Sequence, residues 1–182
     1  MPCPQQAFIN EDCHRNEFCG EMNARWEWLR RWWPALAWAV VISIFSTGAF
    51  TSENTGRVII PILHWLLPHA PMETLILLHH YIRKSAHFTE YFILSLLLLR
   101  GIRGENRGLK LAWALLAIAI VACYASLDEF HQSFVPGRTP AVTDVMIDTS
   151  GGIAAQAIAA LTMMLAHLRE ERREKSAASN AS

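Results

Sequence analysis

The chain has 182 residues and carries 16 basic and 16 acidic side chains, so its formal net charge is zero. Charged residues make up 18% of it and apolar residues 52%, which excludes a disordered protein and the basic surface typical of nucleic-acid binding. A tightly packed soluble domain or a small membrane protein remains, and the distribution of the charges decides between them.

The segment 1–31 is polar, and we expect it to lie on the cytoplasmic side of a membrane. Its first 20 positions include charged residues such as Glu11 and Arg15, and the first apolar run starts too late for a signal peptide. Met22 is an alternative start of translation, because a chain beginning there has a short basic flank directly before the apolar run.

Three segments have the length and composition of membrane-spanning helices. Residues 32–50, 111–127 and 149–168 carry no formal charge over 19, 17 and 20 positions, and a helix needs ~20 apolar residues to cross a bilayer. Any one of them could be the core helix of a soluble protein. Three in so short a chain predict a membrane protein.

A fourth span is predicted between the first two of these segments. Residues 85–100 cross the membrane only if the helix begins near Ser85, which places His87 and Glu90 at or inside the membrane boundary. The result is an all-α, four-helix membrane domain over 32–168. Its predicted spans are 32–52, 85–100, 111–128 and 147–168.

The loop after the first span is too long for a tight turn. Arg57–Leu67 is apolar, but it contains Pro61 and stops at Pro68. We therefore expect an extra interfacial helix in this first outer loop, lying on the membrane surface rather than crossing it.

Basic residues orient the arrangement, because Lys and Arg in short loops mark the cytoplasmic side of a membrane. They cluster before the first span, in the loop 100–110 and after the last span, whereas the loop 128–148 has only Arg138 against its carboxylates. Both termini, including the tail 169–182, are predicted to be cytoplasmic, in a bacterial inner or plasma membrane. Four tryptophans at the predicted boundary form an aromatic belt: Trp26, Trp28, Trp32 and Trp33.

Several ionisable residues lie at the outer membrane edge, where such groups are costly and a functional role is the default hypothesis. In a helix through 83–95, the polar residues fall within an arc of roughly 140°. They are Arg83, Lys84, His87, Glu90, Tyr91 and Ser95. One face of the second span is therefore expected to point into the bundle.

A second polar group follows at the end of the third span. Four residues share one side of a continuing helix: Tyr124, Asp128, His131 and Gln132. Glu129 points off that line. The sequence Val-Pro-Gly-Arg at 135–138 favours a type II turn that would fix the direction of Arg138.

The start of the fourth span carries the third polar group. Asp144 and Asp148 lie one turn apart there. Gly151, Ala155 and Ala159 then repeat at the small-residue spacing that lets membrane helices approach closely.

All three groups lie on the same predicted side of the membrane, so a bundle could join them into one outward-facing site. Arg83, Lys84 and Arg138 are candidate anion contacts. The candidates for proton transfer are His87, Asp128 and Glu129. The other candidate ligand-binding residues are Glu90, Tyr91, Gln132, Asp144 and Asp148. The alternative is a buried salt-bridge network that only holds the helices together, for example through Lys84 paired with Glu129.

At these residues the sequence resembles the VanZ-like family of small bacterial membrane proteins, named after a teicoplanin-resistance protein. The matching segments are RKSAHFTEY at Arg83–Tyr91, DEFHQSFVPGR at Asp128–Arg138 and DVMIDTSGG at Asp144–Gly152. Asp148 stands where that family often has Asn. The resemblance implies a multi-pass membrane protein with a general role in the cell envelope, and the family's name-giving member lowers sensitivity to a lipoglycopeptide antibiotic.

Three functions compete. The first is binding or modification of an anionic envelope lipid or lipid-linked wall precursor at the outer face of the membrane. The second is a metal-dependent membrane hydrolase, although no HExxH motif is present and we expect no metal or other cofactor. The third is a component of a proton-coupled transporter, for which four spans are few. The expected partners are the bilayer and an anionic lipid, with no nucleic acid, and whether the chain is an enzyme stays open.

Overall fold

The computed structural model describes residues 26–47, 52–106, 108, 110–134 and 141–180. These residues form five helices and no strand, so the prediction of an all-α fold is confirmed. In chain order the helices are α1 (26–45), α2 (Ser52–Leu66), α3 (Met72–Arg103), α4 (Leu111–Gln132) and α5 (Val142–Asn180).

Two of the described helices are long and apolar enough to cross a membrane, Leu111–Gln132 and Val142–Ser179. Most of their residues are not buried within the protein. Leu111, Phe130 and Val142, for example, keep 74%, 65% and 78% of their surface exposed. The core helix of a soluble protein would bury such side chains, so these surfaces favour an apolar solvent around α4 and α5.

The other two predicted spans lie in helices of a different character. α1 begins with tryptophans and the pair Arg30–Arg31, and α3 carries Arg83, Lys84 and Glu90 inside its length. In the described part of the chain, neither helix meets the same standard of length, hydropathy and low charge.

α3 begins at Met72, well before the predicted start of its span at 85. Pro71, in an extended conformation, precedes the helix, and no proline or glycine interrupts the chain from Met72 to Arg100. Gly104 ends it with φ of 60°, and its N–H bonds the Arg100 carbonyl at 3.2 Å. α5 likewise continues beyond the predicted span, through the charged residues after Leu168.

α2 occupies the loop in which an interfacial helix was predicted, and it begins at Ser52 rather than Arg57. It packs against the first half of α3, where Gly56 lies beside His79 and the Thr55 Oγ1 is 3.2 Å from His79 Nε2. On its other side Trp65 keeps 81% of its surface exposed.

The centre of the bundle is built on small residues of α5. A Cβ at Gly151 would overlap the backbone carbonyl of Phe88 in α3, and one at Gly152 would lie 2.9 Å from Val121 Cγ1 in α4. Ala155 and Ala159 continue the same buried stripe. α5 therefore lies against the backbone of α3, the closest approach that side chains allow.

Polar side chains tie the helices together across this core. The Ser95 Oγ donates to the Gly152 carbonyl at 3.0 Å, and Gln156 Nε2 donates to the Ser95 Oγ at 2.8 Å. α1 is held in the same way, because Trp38 Nε1 donates to the Glu90 carbonyl at 2.9 Å and the Tyr124 hydroxyl to the Ala39 carbonyl at 2.7 Å.

Replacing Gly151 by alanine tests the close approach of α3 and α5. Alanine favours a helix over glycine by about 0.5–1 kcal/mol, but overlap with a backbone carbonyl costs about 1–3 kcal/mol because backbone has little freedom to move. We expect G151A to lower the free energy of unfolding in detergent by about 1–2 kcal/mol. G108A is the control, since no atom lies within 4 Å of a Cβ there; a G151A protein as stable as G108A would contradict the packing.

Candidate functional site

The predicted polar residues meet at one end of the bundle. The first half of α3, the end of α4, the start of α5 and Ser46, directly after α1, come together there. Arg138 lies outside the described residues, as does the predicted turn at 135–138. The other predicted residues of the site belong to the described part of the chain.

The end of α4 places three polar side chains in the interior. Asp128, Glu129 and Gln132 are all buried. Gln132 Nε2 donates to the Asp128 Oδ2 and to the Ser46 Oγ, both at 2.8 Å, so it links α4 to the end of α1. His131, directly before Gln132 in the helix, is exposed.

An ion pair joins α3 to α5. Lys84 Nζ lies 2.8 Å from Asp144 Oδ1, with both side chains about one-third exposed. The pairing of Lys84 with Glu129, suggested above as part of a structural network, is therefore wrong. The Glu129 Oε2 instead accepts a hydrogen bond from the Ala141 N–H at 2.9 Å, directly before α5 begins.

Asp148 and Tyr91 lie at the centre of the cluster. Asp148 is 1% exposed and Tyr91 is completely buried. Within the described residues, neither Asp148 Oδ1 nor the Tyr91 hydroxyl makes a hydrogen bond. Buried polar atoms are normally paired, so these two atoms make the cluster a candidate functional site.

The cluster is acidic. Asp148 is within electrostatic reach of Asp128, Asp144, Glu129 and Glu90. Among the described residues, Lys84 forms an ion pair with Asp144, and His87 Nδ1 lies 3.9 Å from a carboxylate oxygen of Asp148 and of Glu90. Repulsion among the carboxylates therefore makes each additional negative charge in the cluster costly.

His87 connects this cluster to the surface. Its Nδ1 lies 3.9 Å from Asp148 Oδ1 on the inner side and 3.9 Å from Glu90 Oε2 on the outer side. Both distances exceed a hydrogen bond, but a small rotation of the imidazole ring would bring either carboxylate within reach. The position suits a group that exchanges protons between a buried acid and a surface groove.

That surface groove, of about 240 Å³, lies between the end of α1, α2 and the first half of α3. Its walls combine apolar side chains with Arg83, His87 and Glu90. The lining residues are Phe45, Thr55, Ile59, His79, Ile82, Arg83, Ala86, His87 and Glu90. A ligand held here would contact both apolar and charged groups.

His79 belongs to this groove and was not predicted. Burial, and secondly the charge of Arg83, lower the pKa of His79, so this imidazole is neutral when it meets Thr55. The predicted helix began near Ser85 and left His79 in a loop. The spacing of His79, Arg83 and His87, four residues apart each time, is the signal that extends the polar stripe by about one turn.

A second opening reaches the cluster from the opposite side. This cavity, of about 230 Å³, is lined by Ser43, Tyr124, Leu127, Asp128 and His131. Asp128 is thus accessible from the face between α1 and α4, while Glu90 and His87 face the groove beside α2. In the part of the chain that the structure describes, no three Asp, Glu, His or Cys side chains are arranged to hold a metal ion.

A comparison with protein families gives one match. The model of the family described as VanZ/LLP1 matches residues 26–164, which include α1 to α4 and most of α5. No curated protein and no solved structure matches the chain significantly.

Two neighbouring aspartates should respond in opposite ways to loss of their charge. D144N leaves Lys84 without its ion-pair partner, so we expect it to lower the free energy of unfolding by about 1–2 kcal/mol. D148N keeps the shape of a buried group and cannot add a negative charge to the acidic cluster, so stability should be unchanged or higher. Chemical denaturation of both variants in the same detergent is the measurement. A D148N protein that loses more stability than D144N would show that Asp148 makes an essential ionic contact.

Proposed function

Because the chain belongs to the VanZ/LLP1 family, we propose that it is a four-span membrane protein that binds an anionic envelope lipid or lipid-linked wall precursor at its outer face. The spans are α1, the second part of α3, α4 and the apolar part of α5. α2 lies on the outer surface of the membrane, and both termini are cytoplasmic. The charge distribution along the chain supports this orientation.

The spacing of charges along α3 supports a crossing at this helix. From Lys84 to Arg103 the helix rises roughly 29 Å, close to the ~30 Å of a hydrocarbon core. Lys84 pairs with Asp144 at one end, and Arg31 pairs with Glu105 just beyond the other. Between these ends, the side chain of Glu90 lines the groove beside α2, and its backbone carbonyl accepts a hydrogen bond from Trp38.

The groove beside α2 is the observation that carries the proposed ligand. Arg83 lines the groove together with His87, Glu90 and apolar side chains, and a guanidinium can bind phosphate in a two-pronged geometry. Ile59, Ile82 and Phe45 offer a surface for a hydrocarbon chain. An amphiphile with a phosphate head and an isoprenoid or acyl chain satisfies both halves of the groove.

If a reaction follows binding, His87 is the group positioned to move a proton. It borders the groove and lies between Glu90 and the buried Asp148. Asp128 and Glu129, the other candidates for proton transfer, instead face Gln132 and the start of α5. In the proposal these two carboxylates do not contact the ligand. They hold the cluster together and can accept a proton from within it.

A second candidate function is purely structural. Lys84, Glu129 and Gln132 each join two elements of the fold, as an interhelical network for assembly would. A metal-dependent hydrolase has less support, since the described residues offer no group of three metal ligands. The variants below separate ligand binding from the structural role.

Loss of Arg83 should remove ligand binding and leave the fold intact. We expect R83Q to bind a polyprenyl phosphate about tenfold or more weakly than the wild type, because a charge-assisted contact to phosphate is lost. Native mass spectrometry of the purified protein in detergent, titrated with that lipid, is the measurement. R57Q is the matched control, since Arg57 is an exposed arginine of α2 that pairs with Glu53 outside the groove. If R83Q fails to accumulate as folded protein and R57Q accumulates normally, the structural function is favoured.

In cells, we propose a role in envelope biology or teicoplanin-type tolerance. In a susceptible bacterial strain lacking this chain, its expression should raise the inhibitory concentration of teicoplanin. R57Q should raise it equally, and R83Q should not. The measurement is growth inhibition at matched levels of membrane-inserted protein. If R83Q protects as well as the wild type, the groove beside α2 is not needed for tolerance.

A further inference from the structure

A second groove lies at the opposite end of the bundle, where α3 ends beside α5. Its volume is about 230 Å³. It is lined by Leu96, Leu99, Arg100, Arg103, Gly104, Ala159 and Met163. The proposed outer-face function uses none of these residues.

Two arginines provide the polar half of this groove. The only hydrogen bond of the Arg103 guanidinium within the described residues runs from Nη1 to the thioether sulfur of Met163, at 3.3 Å. A thioether is a weak acceptor. Across the described ranges, no carboxylate lies within ion-pair distance of Arg100 or Arg103. Two guanidiniums thus line one groove with donor capacity that the described residues satisfy poorly.

The end of α3 brings a third arginine close to them. Gly104 has a φ of 60°, and a Cβ there would lie 2.8 Å from Arg31 Nη1 of α1. Glycine at this position therefore both ends the helix and lets the Arg31 guanidinium lie against it. Arg31 also meets the exposed Glu105 at 3.5 Å, so this arginine is partly neutralised while the two in the groove are not.

The other half of the groove is apolar. On α3, Leu96 lies one turn before Arg100, towards the middle of the predicted span, and Leu99 directly precedes Arg100. Ala159 lines the groove from α5. Leu99 and Ala159 are almost completely buried. Ala159 keeps α5 close to α3 and leaves a slot between the helices beside the guanidiniums. A slot of this kind fits a hydrocarbon chain whose head group lies at the arginines.

We propose that this groove binds one anionic phospholipid from the leaflet in which α3 ends. The lipid phosphate contacts Arg100 and Arg103, and an acyl chain lies over Leu96, Leu99 and Met163. Basic pockets between membrane helices recognise anionic lipid head groups in this manner. A zwitterionic lipid would leave the excess positive charge uncompensated, and a free phosphate would leave the apolar slot unused.

Lipid titration of delipidated protein tests the proposal. In native mass spectrometry, the wild type should bind phosphatidylglycerol more tightly than phosphatidylcholine. R100Q/R103Q should bind phosphatidylglycerol about 30-fold more weakly, as expected for the loss of two arginines at a membrane surface. R100K/R103K should restore most of the binding, because the charge is kept.

Controls separate this groove from general charge and from the outer site. R172Q/R173Q removes two exposed arginines of the α5 tail and should bind phosphatidylglycerol like the wild type. R57Q, at an exposed arginine outside both grooves, should also bind phosphatidylglycerol like the wild type. Equal weakening in R172Q/R173Q and R100Q/R103Q would overturn the groove as the site, and so would equal affinity for the two lipids. Displacement by millimolar inorganic phosphate would assign the arginines to a free anion instead. The thermal midpoint of each variant without lipid confirms that it is folded.

Discussion

The close contact between α5 and α3 is the constraint on which the rest of this structure depends. Gly151 lies directly against the Phe88 carbonyl, one residue from His87, so the two helices cannot separate without moving the site. The same contact sets Asp144 opposite Lys84 and Asp148 opposite His87. One helical turn further along, Gly152 accepts the hydrogen bond of Ser95, which fixes the register of the pair. The glycines therefore position the charges, and the ion pair of Lys84 with Asp144 adds a second link between the same two helices.

The sequence therefore predicts which residues share a helix face better than it predicts which residues pair between helices. The spacing of Gly151, Ala155 and Ala159 pointed to a close helix contact, and the polar arc of 83–95 pointed into the bundle, because both follow from 3.6 residues per turn. The ion-pair partner of Lys84 cannot be predicted from this periodicity. Lys84 can reach either Asp144 or Glu129 from one position on a helical wheel, and the choice depends on the register between α3 and α5, which is a tertiary property.

The start of α3 shows a different reason for a missed feature. Hydropathy alone predicts a helix only where a crossing requires one, which begins near Ser85. Helix formation has other requirements, and a run without proline or glycine from Met72 satisfies them. The extra turns carry His79 to α2 and create the groove in which Arg83 lies. The candidate ligand-binding groove thus depends on the turns of α3 before Ser85, which hydropathy alone predicts to be a loop.

The two ends of the bundle have opposite electrostatic character, although the formal charges of the whole chain cancel. At one end carboxylates surround Asp148, and Arg83 lines the groove beside α2 together with His87, Glu90 and apolar side chains. At the other, arginines of α1 and α3 converge around Gly104. Each end therefore presents guanidinium groups next to apolar walls, but only the first has a buried acid and a histidine behind the groove. Among the described residues, the groove at the arginine end is lined by no carboxylate or histidine, whereas the groove at the acidic end is lined by both. The proposed proton transfer therefore fits the acidic end, and the proposed lipid anchoring fits the arginine end.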